Sequence, residues 1–367
     1  MSQLKQPPPG MSSNPATTTV SVLNPGSTST QLALFDRQKE LWREEVQHRP
    51  DELHQEVVRQ MDLRWAAIEP HLKRIPSGSL VAVVGRGGPL KPLPGGTYAI
   101  NDAMIADYSA ARYANHASNL GALLAWQVAR RFDVPAYIVD PVTTDEFELE
   151  ARFSGIPEIE RRCRSHALNI KAVTRKVAAE QGRALPQIRF VVTHLGGGIS
   201  VAALREGRIV DVNDALLGMG PFSPERAGAL PLEGLLHLAF SGEYTFDTLA
   251  HKLSRESGLK GYLGTNDLME VLKRVDAGDE PAGQAYRTMV YQIAKEIGAM
   301  ATVLEGKVDA IILTGAMARA ERLCSDVTAR VKFIAPVYTI PGSLELEALS
   351  QGVWRVIDGE EQAREYA

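Results

Sequence analysis

The sequence predicts an α/β fold made of two duplicated halves that face a shared cleft, and three observations carry that expectation. Apolar β-type runs alternate with helical patterns along the chain, as expected of strands and helices stacked in layers. A module of strand, small-residue turn and strand opens both halves at one offset, with Asn24 matching His194 and Gly26 matching Gly196, each 170 positions apart. At 367 residues the chain also exceeds the roughly 250 to 300 residues at which a single core stops growing.

Taken in order, the first nineteen residues hold Pro7, Pro8, Pro9 and Pro15 among Ser and Thr. They have too little apolar surface to order themselves, so a disordered tail is expected over 1–19 and a fold beginning near Val20. Residues 21–23 and 32–35 read as short strands, joined by Asn24, Pro25, Gly26 and four hydroxyl residues at 27–30. Leu53, Val57, Met61, Trp65 and Ile68 recur at helical spacing and predict an amphipathic helix over 51–73. Residues 79–88 form a strand running into a glycine-rich turn, 118–132 a second helix, and 134–142 a buried strand ending at Asp140. The second half opens with 188–213, which runs apolar, breaks at Gly196, Gly197 and Gly198, and resumes as a strand. Tyr286, Val290, Ile293, Ile297, Met300 and Leu304 line one face of a long helix and are expected in the core. A strand over 308–318 then ends at Gly315.

Composition excludes several functions. The chain is 44% hydrophobic and 23% charged, ordinary for a globular protein, and its formal charge of -4 leaves no basic footprint for nucleic acid. No apolar run approaches a membrane span, and the N-terminus lacks the order of a signal peptide. Cys163 and Cys324 stand alone with no second Cys nearby, which supports neither a disulfide framework nor a four-ligand zinc site. A cytoplasmic protein with small-molecule partners is expected.

Three strands end in small-residue loops, at 24–30, 194–198 and 314–315. Hydroxyls in a turn often do no more than bond their own backbone, whereas a tight loop without bulk can also surround a phosphate with N–H and O–H groups. The loop at 24–30 alone leaves both readings open; three such loops on two halves suit a polyphosphate. Neither G-x-x-x-x-G-K-[ST] nor G-x-G-x-x-G occurs. Phosphoryl transfer also needs positive charge at the moving group. Arg86 directly follows a strand and Arg226 sits in the Pro/Gly-rich loop GPFSPERAGALP, against the alternative that each only orders its turn. Asp140 ends a buried strand where open α/β sheets place their ligand crevice, or else caps the turn at Pro141. His194 lies between FVVT and three glycines and is a candidate donor to a phosphoryl oxygen. His166, at a helix start, reads as structural on its own residues.

Eight motifs in order, LNPGSTST, VGRGG, ASNLGALLA, AYIVDPVTTDEF, HALNIKAVTR, THLGGGISV, GPFSPERAGALP and LTGAMA, resemble the butyrate kinase branch of the acetate kinase family. The resemblance runs from about residue 20 to residue 357. It implies two ribonuclease-H-like domains of the sugar kinase and actin superfamily, 20–150 and 151–342, with a C-terminal helix in 343–367 returning to the first. It implies ATP in the interdomain cleft and transfer of its γ-phosphoryl group to butanoate, giving butanoyl phosphate and ADP. Acetate, propionate and isobutyrate are alternative acceptors, and a homodimer or larger homo-oligomer is expected.

Carried across by motif, Asn24, Gly26, Ser27, Thr28 and Ser29 form the first phosphate hairpin, Gly196, Gly197 and Gly198 the second, and Gly315 part of the adenosine pocket. Arg86 and Arg226 clamp the carboxylate and the moving phosphoryl group, and His194 stabilises its equatorial oxygens. Asp140 orients the reactants or a hydrated Mg²⁺, Glu345 is a second magnesium-associated carboxylate, and His166 takes the place of a second histidine near the site. Three departures stand out: Gln31 where relatives carry Lys, Ser343 and Leu344 in place of an acidic pair, and Ala316 in place of a second glycine. The competing class is a non-catalytic actin-like nucleotide switch, which has no use for an arginine clamp on a carboxylate.

Overall fold

The structure, a computed structural model, describes residues 18–367. The predicted tail therefore lies outside the described residues up to position 17. Thr19 already belongs to a strand, its N–H donating to the Ser79 carbonyl at 2.8 Å, so the fold starts one residue before the expected Val20.

Two mixed sheets repeat one plan. The first contains β1 (Thr19–Pro25), β2 (Ser29–Phe35), β3 (Glu40–Gln47), β4 (Leu80–Arg86), β5 (Thr97–Ala99) and β6 (Ala136–Val139), in the order β3-β2-β1-β4-β6-β5. The second contains β7 (Arg189–Leu195), β8 (Ile199–Arg205), β9 (Arg208–Val212), β10 (Ala310–Gly315) and β11 (Val337–Pro341), in the order β11-β10-β7-β8-β9. In each, an antiparallel trio continues into two parallel strands, so β1 answers to β7, β4 to β10 and β6 to β11. The offset read from the sequence thus reflects two copies of one sheet. It also makes Arg86 the counterpart of Gly315, since each ends the parallel strand beside the hairpin.

The helices are α1 (Met61–Leu72), α2 (Asp102–Ser109), α3 (Asn119–Phe132), α4 (Leu149–Arg152), α5 (Ala167–Glu180), α6 (Leu232–Ala239), α7 (Phe246–Arg255), α8 (Gly258–Leu263), α9 (Leu268–Asp276), α10 (Glu280–Val303), α11 (Glu321–Val331) and α12 (Glu345–Ile357). None of the described helices is long and apolar enough to cross a membrane. Alternation along each strand divides its side chains between two faces. Leu23, Val83 and Ile138 pack with Ile68 of α1 and Leu120, Leu124 and Val128 of α3. On the opposite face Val20, Val22 and Val84 meet Leu349, Val353 and Trp354 of α12, together with Leu168 and Ala172 of α5. Helix α5 also buries Ile170, Val173 and Val177 against Phe190, Val192 and Ile312 of the second sheet, so this one helix is shared by both halves. The stripe from Tyr286 on α10 to Leu304 just past its end lies in the core of the second half, as expected.

The helix predicted over 51–73 is shorter than its pattern. Only Met61–Leu72 is α-helical, preceded by two single 3₁₀ turns. The His54 ring takes the Glu56 N–H (3.0 Å) and Asn115 takes the Val57 N–H (2.8 Å), so side chains satisfy donors that a longer helix would have used. The buried residues of α1 are Arg64, Ile68 and Leu72, and Trp65 is only partly covered. Strand β3 went unpredicted because ELWREEVQ alternates half-buried with exposed positions and carries charge along a sheet edge.

Candidate active site

The first hairpin closes tightly, with the Gly26 N–H on the Ser29 carbonyl (2.8 Å). Ser27 and Thr28 are exposed at its tip, whereas Thr30 is buried and bonds the His48 ring (2.8 Å). Behind the loop lies Arg64, whose guanidinium donates to the Ser27 and Ser29 carbonyls at 3.2 and 2.7 Å. Sequence reasoning missed Arg64 because a lone arginine on an amphipathic helix reads as a surface charge.

The end of β4 brings Arg86 beside this hairpin. Its Nη1 donates to Glu345 Oε2 at 2.8 Å and lies 3.4 Å from Asn24 Oδ1, while Asn24 Nδ2 donates to the same Glu345 oxygen at 3.3 Å and to Gln31 Oε1 at 3.1 Å. Glu345 opens α12 and so joins the C-terminal helix to the site. Asp140 follows β6 in the left-handed region, at φ 40, an unfavourable conformation for a residue with a Cβ. Its carboxylate is buried and accepts the Gly96 N–H (2.8 Å), with Arg175 and Lys171 at 3.5 and 3.9 Å. Arg86, Asp140, His166 and Glu345 line one small cavity with Val142 and Leu168.

From the second half, His194 lies one residue before the end of β7 and its ring stacks on His166, centroids 3.8 Å apart and planes 4° from parallel. The bonding around the pair assigns the protons. The Leu344 N–H donates to Asn169 Oδ1 (2.9 Å), which turns the Asn169 amide nitrogen toward His194 Nδ1 (2.9 Å). A nitrogen that accepts there carries no hydrogen, so the neutral ring holds its proton on Nε2. Burial, then the positive charge of Arg86, pushes the His194 pKa down to about 4. Burial, then His194, Arg226 and Arg86, holds His166 well below the usual imidazole range. His166 Nδ1 bonds Ser200 Oγ at 2.9 Å.

Arg226 reaches the same place from the loop after β9. Its Nη1 donates to the Ala215 carbonyl, while its buried Nε has no partner among the described residues. The guanidinium lies over Gly198 so closely that a Cβ there would collide with it, which explains the third glycine of the loop. Gly315 has φ 93 and passes against the Leu195 backbone, where a Cβ would not fit. Ala316 is exposed and begins a 3₁₀ turn without strain, so the second glycine is not needed for the backbone here.

Arg86, Asp140, His166 and Glu345 thus share one cavity, His194 stacks on His166, and Arg226 covers Gly198. Beyond Arg64, the residues missed were Asn169, which bonds His194, and Lys171, which pairs with Glu146 at 2.8 Å and lies 3.9 Å from Asp140. Asn169 follows His166 by three positions on a helix, a spacing that shares one face and was the available signal.

The chain matches the Acetokinase family over residues 149–336. It is 45% identical over 349 residues to a probable butyrate kinase of Clostridium botulinum, covering 94% of this chain and 98% of that one. The chain belongs to the acetokinase family. A probable butyrate kinase of Listeria welshimeri is another family relative, 48% identical over 351 residues, 95% of this chain and 99% of that one. The fold is also that of Porphyromonas gingivalis acetate kinase, with a TM-score of 0.76 at 18% identity over 92% of this chain and 99% of that one. As a family member the chain is a kinase, with a carboxyl group as the acceptor.

Proposed function

We propose that the chain catalyses the ATP-dependent phosphorylation of butanoate, releasing ADP and butanoyl phosphate. The observation that carries this reading is the meeting of Arg86 and Arg226, from opposite halves, around two neutral stacked histidines and between two small-residue hairpins. A carboxylate oxygen is a competent nucleophile at neutral pH, so its lone pair attacks the γ-phosphorus in line and the bond to the β-bridging oxygen breaks, its electrons leaving on ADP. No general base is required, and catalysis rests on positioning and charge stabilisation.

Within this reading Arg86 exchanges its bond to Glu345 for the incoming carboxylate. His194 Nε2–H donates to an equatorial oxygen of the moving group, and the unpartnered Arg226 Nε–H follows its charge. The hairpins around Asn24 and Gly197 hold the phosphates, and the turn at Gly315 lies beside the adenosine. Mg²⁺ would neutralise the nucleotide phosphates when bound. No three His, Cys, Asp or Glu side chains among the described residues form a metal cage. Asp140 and Glu345, two carboxylates of one cavity, would hold a hydrated ion through its waters.

In this proposal 20–150 and 151–342 move as two bodies and close on both substrates, excluding water from the acyl phosphate. Exposed Leu232, Phe240, Phe246 and Tyr262, gathered on α6 to α8 and their connections, support assembly with further copies of the chain. The location proposed is the cytoplasm.

The test is a hydroxylamine trap for acyl phosphate with ATP, Mg²⁺ and acids of increasing length. Trapped butanoyl product in excess over the acetyl product is expected. Preference for a shorter or branched acid would move the substrate assignment. No product with any acid, in a protein that binds ATP, would favour the nucleotide switch.

A further inference from the structure

Arg64 is 0% exposed, yet it has no ion pair among the described residues. Its Nε donates to Gln60 Oε1 (3.1 Å), Nη1 to the Ser29 carbonyl (2.7 Å) and Thr30 Oγ1 (2.9 Å), and Nη2 to Gln60 Oε1 (2.9 Å) and the Ser27 carbonyl (3.2 Å). Five donors thus meet only neutral acceptors. Hydrogen bonding is satisfied, but the charge is not compensated, and a buried uncompensated charge is strongly unfavourable. If anchoring the loop were the whole task, a neutral donor or an arginine paired with a carboxylate would serve without that cost.

The loop in front shows where compensation would come from. Residues 24–31 carry no charged side chain. The Ser27 and Ser29 carbonyls are drawn back onto the guanidinium, and among the described residues the N–H groups of Ser27 and Thr28 bond no other backbone group. Donors at the exposed tip with a cation directly behind make an anion receptor. Arg86 also reaches this loop, at Asn24, but Glu345 already neutralises it. His48 adds no charge at neutral pH, because burial and then Arg64 lower its pKa.

We infer that Arg64 is a positioning residue that charges the first hairpin from behind, so that nucleotide phosphates supply the counter-charge missing from the folded protein. The inference rests on reading this hairpin as a phosphate loop. It has a thermodynamic consequence. The unliganded protein carries the cost of the buried cation, and ATP relieves it, so ligand binding stabilises more than contacts at the tip alone would allow.

The test separates charge from anchoring. Gln60→Glu keeps an acceptor for Nε and Nη2 while cancelling the charge, and replaces the Gln60 amide bond to the His54 carbonyl (2.6 Å) by a carboxylate oxygen facing that carbonyl. The expected result is an unliganded Tm equal to wild type or above it, a KM for ATP raised on the order of 10-fold, a smaller ATP-induced rise in Tm, and nearly unchanged kcat. A folded Gln60→Glu protein with wild-type KM and wild-type ATP-induced Tm rise would overturn the inference. Should that variant not fold, Arg64→Lys and Arg64→Gln replace it. Lys, which keeps the charge and loses the fork, is expected to retain more of the ATP-induced Tm rise than Gln, and equal or reversed values overturn the inference. Thr28→Glu tests the underlying reading, since a negative charge at the tip must weaken ATP binding if the hairpin faces phosphate. Unchanged KM in Thr28→Glu sinks the hairpin reading itself. Raised KM there, with wild-type behaviour in Gln60→Glu, sinks only the role of Arg64.

Discussion

Asn169 donates its amide hydrogen to His194 Nδ1 at 2.9 Å, and that bond decides which edge of the imidazole can act as a donor. The amide cannot turn over without cost, because its oxygen is held by the Leu344 N–H at the entrance to α12. One bond from the backbone before the last helix therefore sets the proton of a histidine in the second sheet.

Asn169→Asp should reverse this arrangement. A carboxylate facing Nδ1 draws a hydrogen onto that nitrogen and raises the imidazole pKa, so nitrogen-15 NMR should show Nδ1 protonated in the variant and bare in the wild type. Below the new pKa the imidazolium still donates from Nε2; above it the neutral ring does not, and kcat should fall by on the order of 10². A wild-type profile without a histidine limb near neutrality, against a variant that loses rate as pH rises, is expected. Identical profiles would remove His194 Nε2–H from the mechanism.

Acid stability should bear the mark of the same histidine. The pKa of His194 is about 4 in the folded chain against an ordinary 6.5, so as pH falls the unfolded chain takes up the proton first. Its contribution is complete above 6.5 and lost progressively toward 4. Urea unfolding should show His194→Asn losing less stability between pH 7 and pH 5 than the wild type, and equal losses would contradict the assignment.

Arg226→Ala should lower kcat by on the order of 10³ while the KM for ATP changes little, and Arg226→Lys should recover only part of the rate. An arginine that merely orders the loop over Gly198 would produce a lower Tm with a modest fall in rate. Kinetics and melting on one preparation separate the two.

The chain end braces Asp140 indirectly. Glu361 accepts the Thr97 N–H (2.6 Å), Arg364 pairs with Thr97 and Ala99 through the backbone (2.8 and 3.0 Å), and the Tyr366 hydroxyl donates to buried Asp107 (2.6 Å). Gly96, the residue before Thr97, holds Asp140. Removing residues 360–367 should lower Tm by several degrees and reduce kcat more than the KM for ATP. A truncated chain with wild-type Tm and kcat would show that Asp140 needs no such brace.

What the sequence determined by itself is whatever short-range pattern encodes. Strand alternation and small-residue turns are properties of adjacent residues, and with the repeat at 170 positions they pointed to the two sheets, both hairpins and the candidates Arg86, Asp140, His194 and Arg226, whereas Glu345 and the place of His166 at the site came only from the motif resemblance. The order Thr-His-Leu-Gly-Gly-Gly already limits the backbone, because only small residues tolerate such close approach. Tertiary structure alone decided the partners of the polar groups. Arg86 meets Glu345 across 259 positions, Leu344 meets Asn169 across 175, and Arg64 meets the Ser27 carbonyl across 37. No local pattern encodes such pairs, since whether a charge is solvated, paired or left uncompensated depends on which distant segments enclose it. Arg64 shows the difference: in the sequence it is one arginine on an amphipathic helix, and in the fold it is a buried cation behind a loop that carries no charge of its own.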